Sequence, residues 1–498
     1  MRCLNQKMKK ILLFNLPSIT FNYARDYFCS KTLKTGYVEH PIDLLILSGI
    51  LFDEFKVDIL DAAVLNLDYY GCFNKIDNLS PDIIIFLSGS ASWIEDFNFM
   101  KQVKEKKDTL KIIGIGDIFF DKDIIVGNRW IDAVLLDFTS KDIFNYLEGN
   151  YDAVKNMFFR NNDDIIFTEI TKYDNEEFEI PIPRHELFLK ERYTFPFARK
   201  LPFATILTDY GCGFKCPFCI YSALGIKLRK LENVLKELEY VHSLGIGELF
   251  IKDQSFGYNK KRSLQLLGEM LKRDWRFSWT AFSRIDSIDF ELASNMKDAG
   301  CHTLILGVET ANEDLLRKYK PGITLEKIDN TLRLCKKLKI HTVGTFCLGF
   351  PLETKESILK TIDYAVQSDC DFASFNVFVP KIGTAFEKGF LEDNRVKRLI
   401  DREWDQSGIS SIAGNGAISG EQMSDLLSLA IRKFYFRLSY IFNRILNLTS
   451  VADLRTLIKN GMGPLNSIIN KKIKFKNVTH MLDKVYNYKK NNRFIDFK

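Results

Sequence analysis

Uninterrupted apolar runs are short in this 498-residue chain. None approaches the ~18 residues that a membrane-spanning helix requires, and stretches such as residues 83–87 are only strand-sized, which argues against a bilayer-spanning protein. Proline (12) and glycine (28) are sparse, while 46% hydrophobic and 27% charged residues are near globular averages, so neither a collagen-like fibre nor a disordered chain fits. Ten cysteines are too few for a disulfide framework over this length. Residues 1–10 are polar and lead into a brief apolar stretch without a signal-peptide core, so a cytoplasmic protein is expected. The net charge of +6 is mild and says nothing by itself about nucleic acid. It is unevenly distributed: residues 421–498 hold fifteen Lys or Arg against five Asp or Glu.

At roughly 150 residues per domain, the length predicts about three units. Residues 1–150 alternate short apolar runs (11–16, 56–60, 82–87, 110–115 and 132–136) with helical periodicity, as in Ile94, Phe97, Met100 and Val103. This α/β pattern predicts an N-terminal doubly wound, Rossmann-like parallel sheet, with any ligand at the carboxyl ends of its strands. Ser88, Gly89, Ser90 and Gly116 fall at those ends and are either small residues admitting a ligand or ordinary turns. Residues 151–200, with a charged run and Pro181, Pro183 and Pro196, read as a linker. A second alternating series over 201–400 has runs at 203–208, 248–251, 277–282, 303–306, 341–348 and 372–379. Six repeats are too few for a closed eightfold barrel and predict a partial (β/α)6 barrel, with its site at the carboxyl ends of the strands. Residues 401–498 read as a basic helical C-terminal region, notably over 422–446 and 451–459.

The sharpest signal is Cys212-Gly-Phe-Lys-Cys216-Pro-Phe-Cys219, a C-x3-C-x2-C spacing directly after the first barrel strand. Three thiolates so spaced can wrap three corners of a cubane iron–sulfur cluster and leave one iron open. A structural zinc site would want a fourth Cys or His nearby, whereas His185 and His242 are more than twenty residues away. A lone catalytic thiol does not explain three spaced cysteines.

With Phe218 before the third cysteine, this motif resembles that of the radical S-adenosylmethionine superfamily. The resemblance implies that Cys212, Cys216 and Cys219 hold a [4Fe-4S] cluster whose open iron takes the amino and carboxylate groups of S-adenosylmethionine. One-electron reduction would then yield methionine and a 5′-deoxyadenosyl radical. It also implies cofactor contacts at later strand ends: Asp253 and Gln254 for the amino group, Arg284 for the carboxylate, and Gly307, Glu309 and Thr310 for the ribose. The alternative for each polar residue is a cap or a surface salt bridge. Gly349-Phe-Pro-Leu-Glu-Thr354 resembles the family's turn after the fifth strand, with Leu352 replacing a glycine, and reads as mainly structural.

The order of doubly wound domain, barrel and basic helical tail is similar to the cobalamin-binding class of this superfamily, many of whose members transfer methyl groups to unactivated carbon or phosphorus. That implies a cobalamin-dependent methyltransferase acting on a small or lipid-like metabolite, with an electron donor such as flavodoxin or ferredoxin. No Asp-x-His-x-x-Gly is present to supply a cobalt ligand, and His40, before Pro41, reads as structural. Three alternatives stay open: a first domain that has lost cobalamin and caps the barrel, with cobalamin-independent cyclisation, rearrangement or oxidation; a non-catalytic cluster- or corrinoid-binding sensor; and, for the tail, peripheral membrane contact in place of a helical cap. Nucleic acid is not expected, since no recognised module accompanies the charge.

Overall fold

The computed structural model describes residues 8–19, 23, 25, 30, 37–189, 193–384, 386, 406 and 418–446. The predicted helix over 451–459 and most of the basic tail lie outside the described residues.

The N-terminal sheet contains β1 (Lys10–Asn15), β2 (Lys56–Asp61), β3 (Ile83–Leu87), β4 (Lys111–Ile115), β5 (Ala133–Leu135), β6 (Met157–Asn161) and β7 (Asp164–Phe167). Its order is β2-β1-β3-β4-β5-β6-β7. The first five strands run parallel, and β6 and β7 add an antiparallel hairpin. Every side chain of β3, Ile-Ile-Ile-Phe-Leu, is buried, as a parallel strand covered on both faces requires. The helix Trp93–Lys106 lays Phe97, Met100 and Val103 on one face. The helix Ile42–Phe52, apolar nearly all round, is buried from Ile42 to Leu51. The order 2-1-3-4-5 puts the topological switch point between β1 and β3.

The barrel is a six-stranded parallel sheet of β9 (Ala204–Ile206), β12 (Glu248–Ile251), β13 (Ser278–Ser283), β14 (Cys301–Glu309), β15 (His341–Leu348) and β16 (Phe372–Val377), paired in that order. Two of its helices open on threonine caps. Thr324 accepts from the Lys327 N–H before Leu325–Lys337, and Thr354 from the Ser357 N–H before Lys355–Gln367. The foot of the lumen is filled with aromatics: Phe195 stacks on Phe250 at 4.2 Å, and Phe197 meets Phe372 edge-on at 5.3 Å.

Residues 151–200 are not a bare linker. They supply β6 and β7 to the first sheet, and β8 (Tyr173–Phe178) runs parallel to β11 (Gly225–Arg229), which pairs antiparallel with β10 (Asp209–Gly211). Charge hid β8, which reads Tyr-Asp-Asn-Glu-Glu-Phe with four of its six side chains exposed.

The two domains share one apolar core, in which Leu45 and Phe188 join Phe250, Ile305 and Val343. Polar ties cross the same seam: Lys252 to Glu39 at 2.8 Å, Lys227 to Asp137 at 2.6 Å, and the Tyr193 hydroxyl donating to Asp61 at 2.9 Å. The predicted 422–446 helix is two, Gly420–Tyr435 and Leu438–Leu446. The first closes onto the barrel, with Phe434 fully buried against Phe375 and the Tyr435 hydroxyl donating to the Ala373 carbonyl at 2.6 Å. This is the cap arrangement, although Leu438 and Phe442 are left exposed.

Candidate active site

The three cysteines occupy one loop, leaving β10 and returning through the short helix Ile220–Leu224 into β11. The Cys212 N–H donates to the Gly225 carbonyl at 2.7 Å, and the Ser222 hydroxyl lies 2.6 Å from the Cys216 carbonyl and 2.8 Å from that of Cys219. The motif's Gly213 lies under the end of the Tyr258 side chain, where a Cβ would come within 2.2 Å of the ring and make it shift. All three thiols are free and partly exposed. Burial and the neighbouring cysteines push the Cys212 thiol up to about 12. Burial also raises Cys216, opposed first by Lys320 and then by Arg284. A metal would therefore have to displace thiol protons. Among the described residues no three His, Cys, Asp or Glu side chains converge to hold a single metal ion. A cubane asks less convergence, since each thiolate binds a different iron.

Charged groups surround the loop. Arg284, just past β13, donates from Nε to Asp286 at 2.7 Å and from NH1 to the Cys216 Sγ at 3.1 Å. The guanidinium lies over the Phe214 ring at 4.3 Å. The carboxylate expected to meet Arg284 is here Asp286. At the end of β14, Glu309 sits at φ +68 beside a register shift with β15. Lys320 holds it, donating to Glu309 Oε1 at 2.8 Å and to the Gly307 carbonyl at 2.6 Å. Phe218 meets Phe350 edge-on at 5.4 Å and packs with Leu315, Tyr319, Cys347 and Phe378.

Two expected cofactor contacts are internal instead. Asp253 is fully buried and accepts from the Thr208 and Asp209 N–H groups at 2.6 and 3.1 Å and from the Thr208 hydroxyl, so it ties β12 to the end of β9. Thr310 is buried against Glu353 and Thr361. Gln254 stays partly exposed, with a long contact of 3.5 Å to the Lys252 carbonyl. Sequence reasoning missed Lys320 and Asp286: the Lys320-Pro-Gly322 turn does not reveal where the lysine points, and nothing local marks Asp286.

The residues picked in the N-terminal domain form the floor of its crevice. The Ser88 and Ser92 hydroxyls donate to Asp96 at 2.9 and 2.6 Å, and Ser90 bonds Asp117. Arg25 covers them, pairing with Asp96 at 2.7 Å and donating to the Leu16 and Pro17 carbonyls. Gly116, at φ +126, is needed because a Cβ would lie 2.0 Å from the Ser88 carbonyl oxygen, and a Cβ on Gly89 would meet the Arg25 backbone at 3.2 Å. Close packing of the chain on itself explains both glycines.

Around this cysteine loop and barrel, residues 206–365 match the family described as the Radical SAM superfamily. Among its relatives, an uncharacterized methyltransferase of Pyrococcus horikoshii is 27% identical over 413 residues, 81% of this chain and 89% of that protein. Two solved structures share the fold. The radical S-adenosylmethionine methyltransferase TsrM from Kitasatospora setae, with cobalamin and a [4Fe-4S] cluster bound, superposes with a TM-score of 0.61 at 17% identity, covering 78% of this chain and 75% of that one. The cobalamin-dependent S-adenosylmethionine radical enzyme OxsB, with aqua-cobalamin and S-adenosylmethionine bound, gives 0.66 at 15% identity, covering 98% and 76%. Among the described residues no helix is long and apolar enough to cross a membrane.

Proposed function

We propose that this chain is a radical S-adenosylmethionine methyltransferase acting on a small metabolite, with Cys212, Cys216 and Cys219 as ligands of a [4Fe-4S] cluster. The observation that carries the reading is the set of three free thiols on one loop beside the carboxyl ends of the barrel strands. Lys320 and Arg284 fit it, because two cations beside Cys216 complement thiolate charge. A cluster held there supplies an open iron for the amino and carboxylate groups of S-adenosylmethionine and the electron that cleaves its sulfonium. Gln254, Gly307 and Glu309 are the groups that would orient that cofactor. A low-potential donor of the flavodoxin or ferredoxin class would serve as reductant.

Methyl transfer with cobalamin is supported by the methyltransferase relative and by the shared fold of TsrM and OxsB. A second reading, radical chemistry without cobalamin, draws on the buried Arg25–Asp96 pair bonded to Ser88 and Ser92 at those strand ends. The test is anaerobic reconstitution with iron and sulfide, then reduction with S-adenosylmethionine present. 5′-Deoxyadenosine is expected, and its absence from a cluster-loaded protein would reduce the chain to a sensor. Stoichiometric uptake of hydroxocobalamin supports the methyltransferase; no uptake favours the second reading.

A further inference from the structure

Arg284 is held from several sides before any cluster is present. Asp286 takes its Nε at 2.7 Å and one NH2 bond at 3.1 Å, the Pro321 carbonyl accepts a second NH2 bond at 2.5 Å, and Phe214 lies beneath the guanidinium. That leaves NH1, which is aimed at the Cys216 Sγ at 3.1 Å. A carboxylate-anchored fork is rigid, and a charged N–H donor bonds an anion about twice as strongly as a neutral one.

We infer that Arg284 tunes the cluster's reduction potential through a fixed N–H···S bond to Cys216, with Asp286 as the residue that positions it. The inference rests on the cluster reading above and gives Arg284 a different partner from the cofactor carboxylate expected from the sequence. Hydrogen bonds to the sulfurs and nearby charge are among the terms that set such potentials. Reduction adds one electron to the cluster, supplied in the assay by dithionite, with no bond made or broken in the protein and no proton transferred. A cation donating to the thiolate stabilises the more negative, reduced state, so removing it makes reduction harder.

The experiment is a dye-mediated reductive titration of the full reconstituted chain without S-adenosylmethionine, read by electron paramagnetic resonance of the reduced cluster. Wild type is compared with Arg284→Gln, Arg284→Lys and Asp286→Asn. Arg284→Gln is expected to lower the one-electron reduction constant about tenfold, equivalent to about 59 mV. Arg284→Lys keeps the charge and loses the fork, and Asp286→Asn loosens the fork, so both should fall between Arg284→Gln and wild type. Equal potentials in every cluster-loaded variant would overturn the inference while leaving the cluster reading intact. If Arg284→Gln holds no cluster, the other two variants decide. A wild-type chain that takes up no iron and sulfide would overturn the cluster reading and this inference with it.

Discussion

The Nδ1 atom of His40 lies 3.1 Å from the hydroxyl of Thr205, joining the segment before the first buried helix to the first barrel strand. The imidazole is enclosed by Phe188, Tyr193 and Phe203. Burial, with His185 and Lys252 adding to it, pushes its pKa down to about 3. A depressed histidine contributes stability that is present above the unfolded value of about 6.5 and is lost as pH falls toward the folded one, because only the unfolded chain takes up the proton. From pH 7 to pH 5 this single group should cost about 2 kcal/mol. Urea unfolding of wild type and His40→Asn at both pH values checks this: the wild type should lose about that much more than the variant, and parallel losses would contradict it.

Cys216→Ala should abolish 5′-deoxyadenosine formation, because two thiolates cannot hold the cubane. The loop's backbone bonds, from the Cys212 N–H and the Ser222 hydroxyl, do not involve the thiol, so the fold should survive. Iron content and circular dichroism separate the two effects, and undiminished product from this variant would refute the ligand assignment.

Asp96 is buried with Arg25, and its Oδ2 also accepts from Ser88 and Ser92. Asp96→Ala leaves a guanidinium charge and two hydroxyls without their acceptor in the interior, at an expected cost of about 3–5 kcal/mol. Chemical denaturation measures it; a loss below about 1 kcal/mol would mean that water reaches the crevice.

Leu352 has φ +71 and is 78% exposed, so it pays for a left-handed conformation without burying its side chain. Leu352→Gly should stabilise the protein by about 0.5–1 kcal/mol, the conformational relief less glycine's greater entropy loss. A thermal or urea midpoint that falls would show that the exposed side chain has another role.

Both alternating sheets were legible because apolar runs and helical spacing report burial, and burial is what a parallel sheet imposes on its strands. Thus 82–87 and 341–348 were read nearly to their ends. β8 was missed because its charged residues obey pairing rather than burial. At the site, the cysteines announced themselves by spacing, a local property. Asp253 and Arg284 were found as positions, but their partners Thr208 and Cys216 are 45 and 68 residues away, and only the folded chain brings them within reach.

β8 has a practical bearing on how the molecule can be divided. It lies upstream of the barrel yet hydrogen-bonds to β11, into which the cysteine loop returns. A fragment cut to the recognisable superfamily stretch would strip that neighbour away and bare a row of unpaired amides beside the thiols. What looks modular along the chain is therefore woven together in space, and isolating the reactive half would disturb the loop one hoped to study.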